Sequence, residues 1–147
     1  MKVALAADHA GFSLKEMLRN HLTEKNVAFE DFGGFDKEAV DYPDLAYKVA
    51  LAVQDGKFQR GILICGTGIG MAIAANKVNA VRAAPCSDCF SARAARAHND
   101  ANVLALGARV VGEGLALAIV DEFLETPFEG GRHLVRIEKI SLLEKNN

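Results

Sequence analysis

The chain of 147 residues is poor in the parts of a covalent or fibrous framework: three cysteines, three prolines and no tryptophan. The odd trio Cys65, Cys86 and Cys89 makes no disulfide scaffold and points to a reducing, cytoplasmic setting. An excess of charge of one sign is missing too. Seventeen Lys and Arg against 19 Asp and Glu leave a formal net charge of −2, which argues against nucleic acid or an anionic membrane surface as partner. Apolar runs such as 115–120 fall far short of the ~20 residues of a spanning helix. Residues 1–7 are too short for a secretory h-region and run into Asp8-His9, so they read as a strand rather than a leader. Half the residues are hydrophobic and 24% are charged, the balance of a globular chain. These numbers exclude fibrous, disordered, membrane and disulfide-stapled classes, and the length suits one domain covering 1–147.

Short β-rich runs alternate with helical patterns. Strands are expected at 3–7, 27–32, 62–64, 81–84 and 103–106. Ser13 and Glu16 have the spacing of a capping box ahead of Leu14, Leu18 and Leu22. Asp41 and Pro43 suit the start of a second helix, in which Leu45, Val49 and Val53 repeat every four residues. Further helices are expected from the glycine loop to about Asn76, then near 88–97, 114–124 and 134–143. Five strands alternating with helices imply a three-layer α/β/α domain with a five-stranded parallel sheet, Rossmann-like in plan. In such sheets ligands gather at the carboxyl ends of the strands. Asp8-His9, Cys65 with its loop, Cys86 and Gly107-Ala108-Arg109 all fall there.

Among these groups, Gly66-Thr67-Gly68-Ile69-Gly70 has the composition of an anion nest. Glycines let successive N–H groups point inward, and a following helix adds its positive end. A bare strand-to-helix turn is an equal reading. Nucleotide binding is not: Met71 stands where the last glycine of a dinucleotide fingerprint belongs, and the Gly-Lys-Ser/Thr of a P-loop is missing. Cys65 sits at the mouth of the nest, where N–H groups and a helix dipole favour a thiolate able to act as nucleophile or base. Taken alone, a free cysteine at a strand end is more often a small buried hydrophobe. Cys86-Ser87-Asp88-Cys89 is a CxxC with neither a second pair for zinc nor a Trp-Cys redox context, and reads as coincidence. His98-Asn99 closes an Ala/Arg-rich helix and offers a proton-transfer group beside an amide, or simply a histidine stabilised by the dipole. Arg132 and Arg136 lie one turn apart after Gly130-Gly131, spaced to face one phosphate or a solvated surface. No metal-ligand cluster or Ser-His-Asp set stands out. Proton transfer on a phosphorylated substrate fits the set.

Read in order, Asp8-His9-Ala10-Gly11, Asp41-Tyr42-Pro43, the stretch from Gly61 through Cys65 to Gly70, Ala74-Ala75-Asn76-Lys77, the stretch from His98 to Val103, and Gly131-Arg132-His133 resemble one family. It is the ribose-5-phosphate isomerase B family, which includes galactose-6-phosphate isomerase subunits. The resemblance runs from Lys2 to about the last helix and implies metal-independent, cofactor-free interconversion of aldose and ketose phosphates through a cis-enediolate. It makes Cys65 the base, with Thr67 assisting, and sets the N–H groups of Gly66, Gly68, Ile69 and Gly70 on the enediolate oxygens. It makes His98 the group that opens the furanose ring. Asp8 and Asn99 would hold or protonate sugar oxygens, Asp8 as a catalytic group, Tyr42 would pack on the sugar, and His9, Arg109, Arg132 and Arg136 would clamp the phosphate. One subgroup has glycine at position 65 and a glutamate base at 71; Cys65 and Met71 place this chain in the thiol version. Relatives acting on four-carbon keto phosphates tend to lack the histidines found here at 9 and 98, which favours a ring-forming sugar. The resemblance also implies a homodimer, or a tetramer, with each active site shared between chains. It gives Cys86 and Cys89 no role.

Ribose 5-phosphate is therefore the expected substrate. The alternatives are a six-carbon aldose 6-phosphate such as allose or galactose 6-phosphate, a non-catalytic sugar-phosphate sensor on the same fold, and a CxxC redox protein.

Overall fold

The computed structural model describes residues 1–36 and 38–147. Strands β1 (Lys2–Ala7), β2 (Ala28–Asp31), β3 (Arg60–Cys65), β4 (Ala83–Pro85) and β5 (Val103–Gly107) form one parallel sheet in the order β2-β1-β3-β5-β4. Between and after them run α1 (Phe12–Glu24), α2 (Tyr42–Gln54), α3 (Ile69–Ala75), α4 (Cys89–Ala97), α5 (Glu113–Glu125) and α6 (Arg132–Lys145). The expected α/β three-layer fold is present.

Strand alternation divides the interior in two. Val3, Leu5, Ile62, Ile64, Leu104 and Leu106 face α1, α4 and α5, whereas Ala4, Ala6, Leu63, Cys65, Val103 and Ala105 face α2 and α3. A sheet covered on both faces needs near-continuous apolar strands, and Val3–Ala7 and Gly61–Cys65 are buried throughout. β2 lies at an edge and alternates between exposed and half-buried positions.

The element boundaries differ from expectation where side chains do something other than extend a strand or cap a helix. Ser13 and Glu16 form no capping box. α1 starts at Phe12 with Gly11 as its cap, so Ser13 already lies inside the first turn, and Glu16 pairs with Arg19 at 3.1 Å. Asp8 does the work at this end instead: its Oδ1 accepts the N–H groups of Ala10 (2.9 Å) and Gly11 (3.1 Å). Asp41 occupies the cap position of α2 without a side-chain cap bond, and Pro43 sits in the first turn. β4 begins two residues late because the Arg82 N–H is taken by the Asn102 side chain at 2.8 Å.

A buried lysine ties the edge strand to the rest. Lys15 on α1 is fully buried, 2.9 Å from the Asp31 carboxylate, and donates to the carbonyls of Gly33 and Gly34. These carbonyls close the loop that leads from β2 towards α2; the Gly33 carbonyl also accepts the Ala7 N–H at 2.9 Å. Replacing Lys15 by Met leaves a carboxylate and one or more carbonyls short of a partner in a dry site. Lys15→Met should destabilise the chain by about 3 kcal/mol in urea unfolding; an unchanged midpoint and slope would show that water takes over the ammonium's bonds.

Candidate active site

The chain leaves β1 for β2 on one side and returns to β3 on the other, so a crevice opens between the carboxyl ends of β1 and β3, the switch point of the sheet. Asp8 follows one strand and Cys65 ends the other, and the Asp8 N–H donates to the Ile64 carbonyl at 3.1 Å, closing the crevice floor.

Cys65 is on the α2/α3 face, 5% exposed. Its Sγ does not simply enter the core: it accepts the Gly68 N–H at 3.1 Å. That bond needs Gly68 at φ +81°, a left-handed conformation that glycine adopts without steric cost, and it serves as the cap of α3. Of the N–H groups expected to form the nest, Gly68's holds the sulfur and Ile69's is taken by Thr67 Oγ1 at 3.2 Å. Thr67 thus supports the loop as an acceptor, and its hydroxyl keeps a proton to donate. Gly70 lies in the first turn of α3, where an N–H has no intrahelical acceptor.

Two more expected residues close on this loop. A Cβ on Gly70 would stand 2.6 Å from Tyr42 Cζ, so the tyrosine ring lies directly against the loop backbone. A Cβ on Gly66 would lie 3.3 Å from Arg109 Nη1, and the Arg109 N–H donates to the Gly66 carbonyl at 3.0 Å, so this guanidinium crosses the loop from β5. His9 is exposed just beyond Asp8.

His98, Asn99, Arg132 and Arg136 are not part of this assembly. The β5 register pairs Val103 with Gly61 and Gly107 with Cys65, so the start of β5 lies four residues, about 13 Å, back along the sheet from the sulfur. His98 and Asn99 precede that start, at the amino rim. The start of α6 joins them there, because the Glu129 N–H donates to the Ala97 carbonyl at 3.0 Å. All four side chains are exposed, and the proton-transfer group and two arginines thus occupy the opposite end of the sheet from the thiol.

His133, which the sequence motif contained without a role, stacks on His98 with ring centroids 4.5 Å apart and planes 13° from parallel. Its Nε2 lies 3.4 Å from Glu129. His98, Glu129 and His133 offer ligand atoms within 4.8 Å of one another. Stacked imidazoles point their lone pairs side by side, however, and a tetrahedral ion about 2 Å from each nitrogen requires one ring to turn.

Around the β1/β3 crevice, a thiol, a carboxylate, a glycine loop, a phenol and a guanidinium converge, which is the make-up of an enzyme site for a small polar molecule. A family model described as Ribose/Galactose Isomerase matches residues 3–140, and the chain belongs to that family of sugar-phosphate isomerases. It is 51% identical to ribose-5-phosphate isomerase B of Escherichia coli over 98% of this chain and 97% of that one. It is 47% identical to D-erythrulose-4-phosphate isomerase of Pectobacterium atrosepticum, over 98% and 95%. The solved structure of Clostridium thermocellum ribose-5-phosphate isomerase B superposes with a TM-score of 0.98, at 51% identity over 99% of both chains.

Cys86 lines a pocket beside Thr67 and Ile69 of the glycine loop, at the carboxyl rim. Burial, reinforced by the Asp88 charge, pushes its thiol up from 9.0 to about 11, so it is protonated at neutral pH. Alkylation by iodoacetamide at pH 8 should be at least about a hundredfold slower at Cys86 than at an ordinary thiol, rising only towards pH 11. Labelling at the rate of a free thiol, read by peptide mass spectrometry, would contradict this environment.

Proposed function

We propose that the chain interconverts ribose 5-phosphate and ribulose 5-phosphate, with Cys65 as the base and the site completed by a second copy of the chain. The observation that carries the reading is the Cys65 sulfur, held at 3.1 Å by the Gly68 N–H at the mouth of the switch-point crevice. A base there meets the carbon next to the carbonyl of a sugar lying along the glycine loop. Cys65 removes the C2 proton of the open aldose, the C1 carbonyl takes up the electron pair, and a cis-enediolate forms. Net transfer of the O2 proton to the C1 oxyanion, with the Cys65 thiol giving its proton to C1, then yields the ketose and returns the thiolate. N–H groups of the loop, Gly70's in its first helical turn among them, suit the enediolate oxygens better than the uncharged sugar, which is what speeds the step. Asp8 has one oxygen committed to its own turn and presents the carboxylate to the sugar hydroxyls, while Tyr42 packs on the carbon chain.

A ring-closed pentose has no carbonyl, so an acid–base group must first open it, the part we give to His98 with Asn99 beside it. His9 and Arg109 from the carboxyl rim and Arg132 and Arg136 from the amino rim make the phosphate clamp. Because the two rims of one chain lie apart, a second copy must bring its amino rim to the first copy's crevice. The surface supports this. α6 buries only Ile137 and leaves Leu134, Val135, Ile140, Leu142 and Leu143 exposed, a face too apolar to remain in water. Near the catalytic rim Ile69, Ile73 and Val110 are exposed as well.

A four-carbon sugar phosphorylated at O4 has no hydroxyl left to close a furanose and needs no ring opener. His98 therefore favours the pentose over the four-carbon substrate of the Pectobacterium relative. A six-carbon 6-phosphate is the competing substrate, and rates measured side by side on the five- and six-carbon aldoses decide between them.

Cys65→Ala should lower kcat by about 10²–10⁴ with the KM for ribose 5-phosphate little changed. His98→Ala should be comparably slow on the ring-closed sugar. If the site is shared, refolding the two inactive chains together in equal amounts makes half the dimers mixed, each with one intact site. About a quarter of the parent activity should then return. No recovery would place both groups on one chain and contradict the shared site, whereas full activity of Cys65→Ala alone would remove the thiol from the chemistry.

A further inference from the structure

At the amino ends of β3, β4 and β5, away from the catalytic crevice, Val53, Phe58, Arg60, Arg82, Asp100 and Asn102 line a cavity of about 240 Å³. Two guanidinium groups pair with a single carboxylate here, and the Arg60 side chain lies near them. Arg82 Nη2 lies 3.2 Å from Asp100 Oδ2, and Arg96 Nη1 lies 2.9 Å from Oδ1. Both arginines are further anchored to carbonyls: Arg82 Nε donates to Asp100 at 2.9 Å, and Arg96 Nη1 to Ala101 at 2.6 Å. Asp100 is thereby saturated. Arg60 has no share of it: its Nη1 donates to the Gln59 carbonyl at 2.7 Å, and its buried Nε meets no acceptor among the described residues.

The open lining thus carries two guanidinium charges against one carboxylate, with the buried Arg96 adding a third at Asp100, an excess that a bound anion would offset. Burial lowers the hold of Arg60 on its proton, the Arg96 and Arg82 charges lower it further, and Asp100 opposes them only in part. Counting about 30 Å³ per water, the cavity has room for a phosphate together with a short organic tail. Guanidinium forks match tetrahedral oxyanions, and a dianion would cancel the local excess.

We propose that this cavity is an anion-binding site, distinct from the catalytic crevice, which takes a small oxyanion of the phosphate class through Arg60 and Arg82. The site lies on one chain and does not depend on which sugar the enzyme turns over. Free phosphate and the terminal phosphate of a metabolite share the chemistry, so inorganic phosphate is the probe, with glucose 6-phosphate as the esterified arm. Binding of the first alone would limit the site to the free ion; binding of both would admit a tail.

The full chain is compared with Arg60→Met and Arg60→Lys by equilibrium dialysis against radiolabelled phosphate, and by thermal unfolding at matched ionic strength in chloride. The parent chain should hold one phosphate more than Arg60→Met. Its unfolding midpoint should rise a few degrees further with phosphate at ten times the dissociation constant. Arg60→Lys keeps the charge and loses the fork, so it should fold like the parent and bind this phosphate at least tenfold more weakly. If Arg60→Met does not fold, that loss of affinity in Arg60→Lys carries the test. Equal phosphate content and equal midpoint shifts in the parent and both folded variants would overturn the proposal. Turnover of ribose 5-phosphate by Arg60→Lys in phosphate-free buffer should match the parent, which separates failure here from failure of the isomerase reading.

Discussion

The arrangement turns on one hydrogen bond, from the Gly68 N–H to the Cys65 sulfur. A thiol at the end of a buried strand would otherwise be one more small core residue, and the α2/α3 core does receive Cys65 as its last member on that face. The left-handed turn at Gly68 bends the backbone back over the strand end and brings a donor to the sulfur. The same turn starts α3, whose first residues expose N–H groups at the place where the crevice opens. Tyr42 and Arg109 lie against the backbone of Gly70 and Gly66, where a side chain larger than hydrogen would collide with the ring and crowd the guanidinium. The glycines of the loop are thus explained by what touches them as well as by what they could bind.

The second constraint is the separation of the two rims. A helix following a parallel strand runs back across the sheet, so residues at its far end cannot share a rim with the strand's carboxyl end. His98 ends α4, and Arg132 begins α6 beside it. Neither reaches Cys65 within the chain. On the proposed assignment of His98, Arg132 and Arg136, this separation and the apolar outer face of α6 make the isolated chain half of two sites rather than the whole of one.

Much of this is legible in the residue string, and the exceptions have causes. Strand alternation and the long apolar runs of β1 and β3 mark a doubly covered parallel sheet, and the carboxyl-end inventory of Asp8, Cys65 and Arg109 follows from it. The capping box at Ser13 and Glu16 fails because a motif of spacing cannot register that Gly11 already caps the helix and that Asp8 organises the turn. Lys15 carries no warning either. A lysine on a helix is ordinarily solvated, and only the folded loop at Gly33 and Gly34 supplies the carbonyls that make it a buried strut. Thr67 stands two residues from Cys65, and its hydroxyl oxygen accepts the Ile69 N–H, a loop bond that spacing alone does not announce. The arginine cluster around Asp100 draws on three elements, so no local pattern shows it.

The central claim is that the Cys65 sulfur removes a carbon-bound proton. It is tested most directly by incubating ribose 5-phosphate in deuterium oxide with the parent chain and with Cys65→Ala, and following deuterium at C2 by NMR. The parent should exchange the C2 hydrogen at a rate comparable to turnover, and Cys65→Ala should bind the sugar phosphate while leaving C2 protonated. Exchange at the parent rate in the chain without the sulfur would contradict the claim and move the base elsewhere in the crevice.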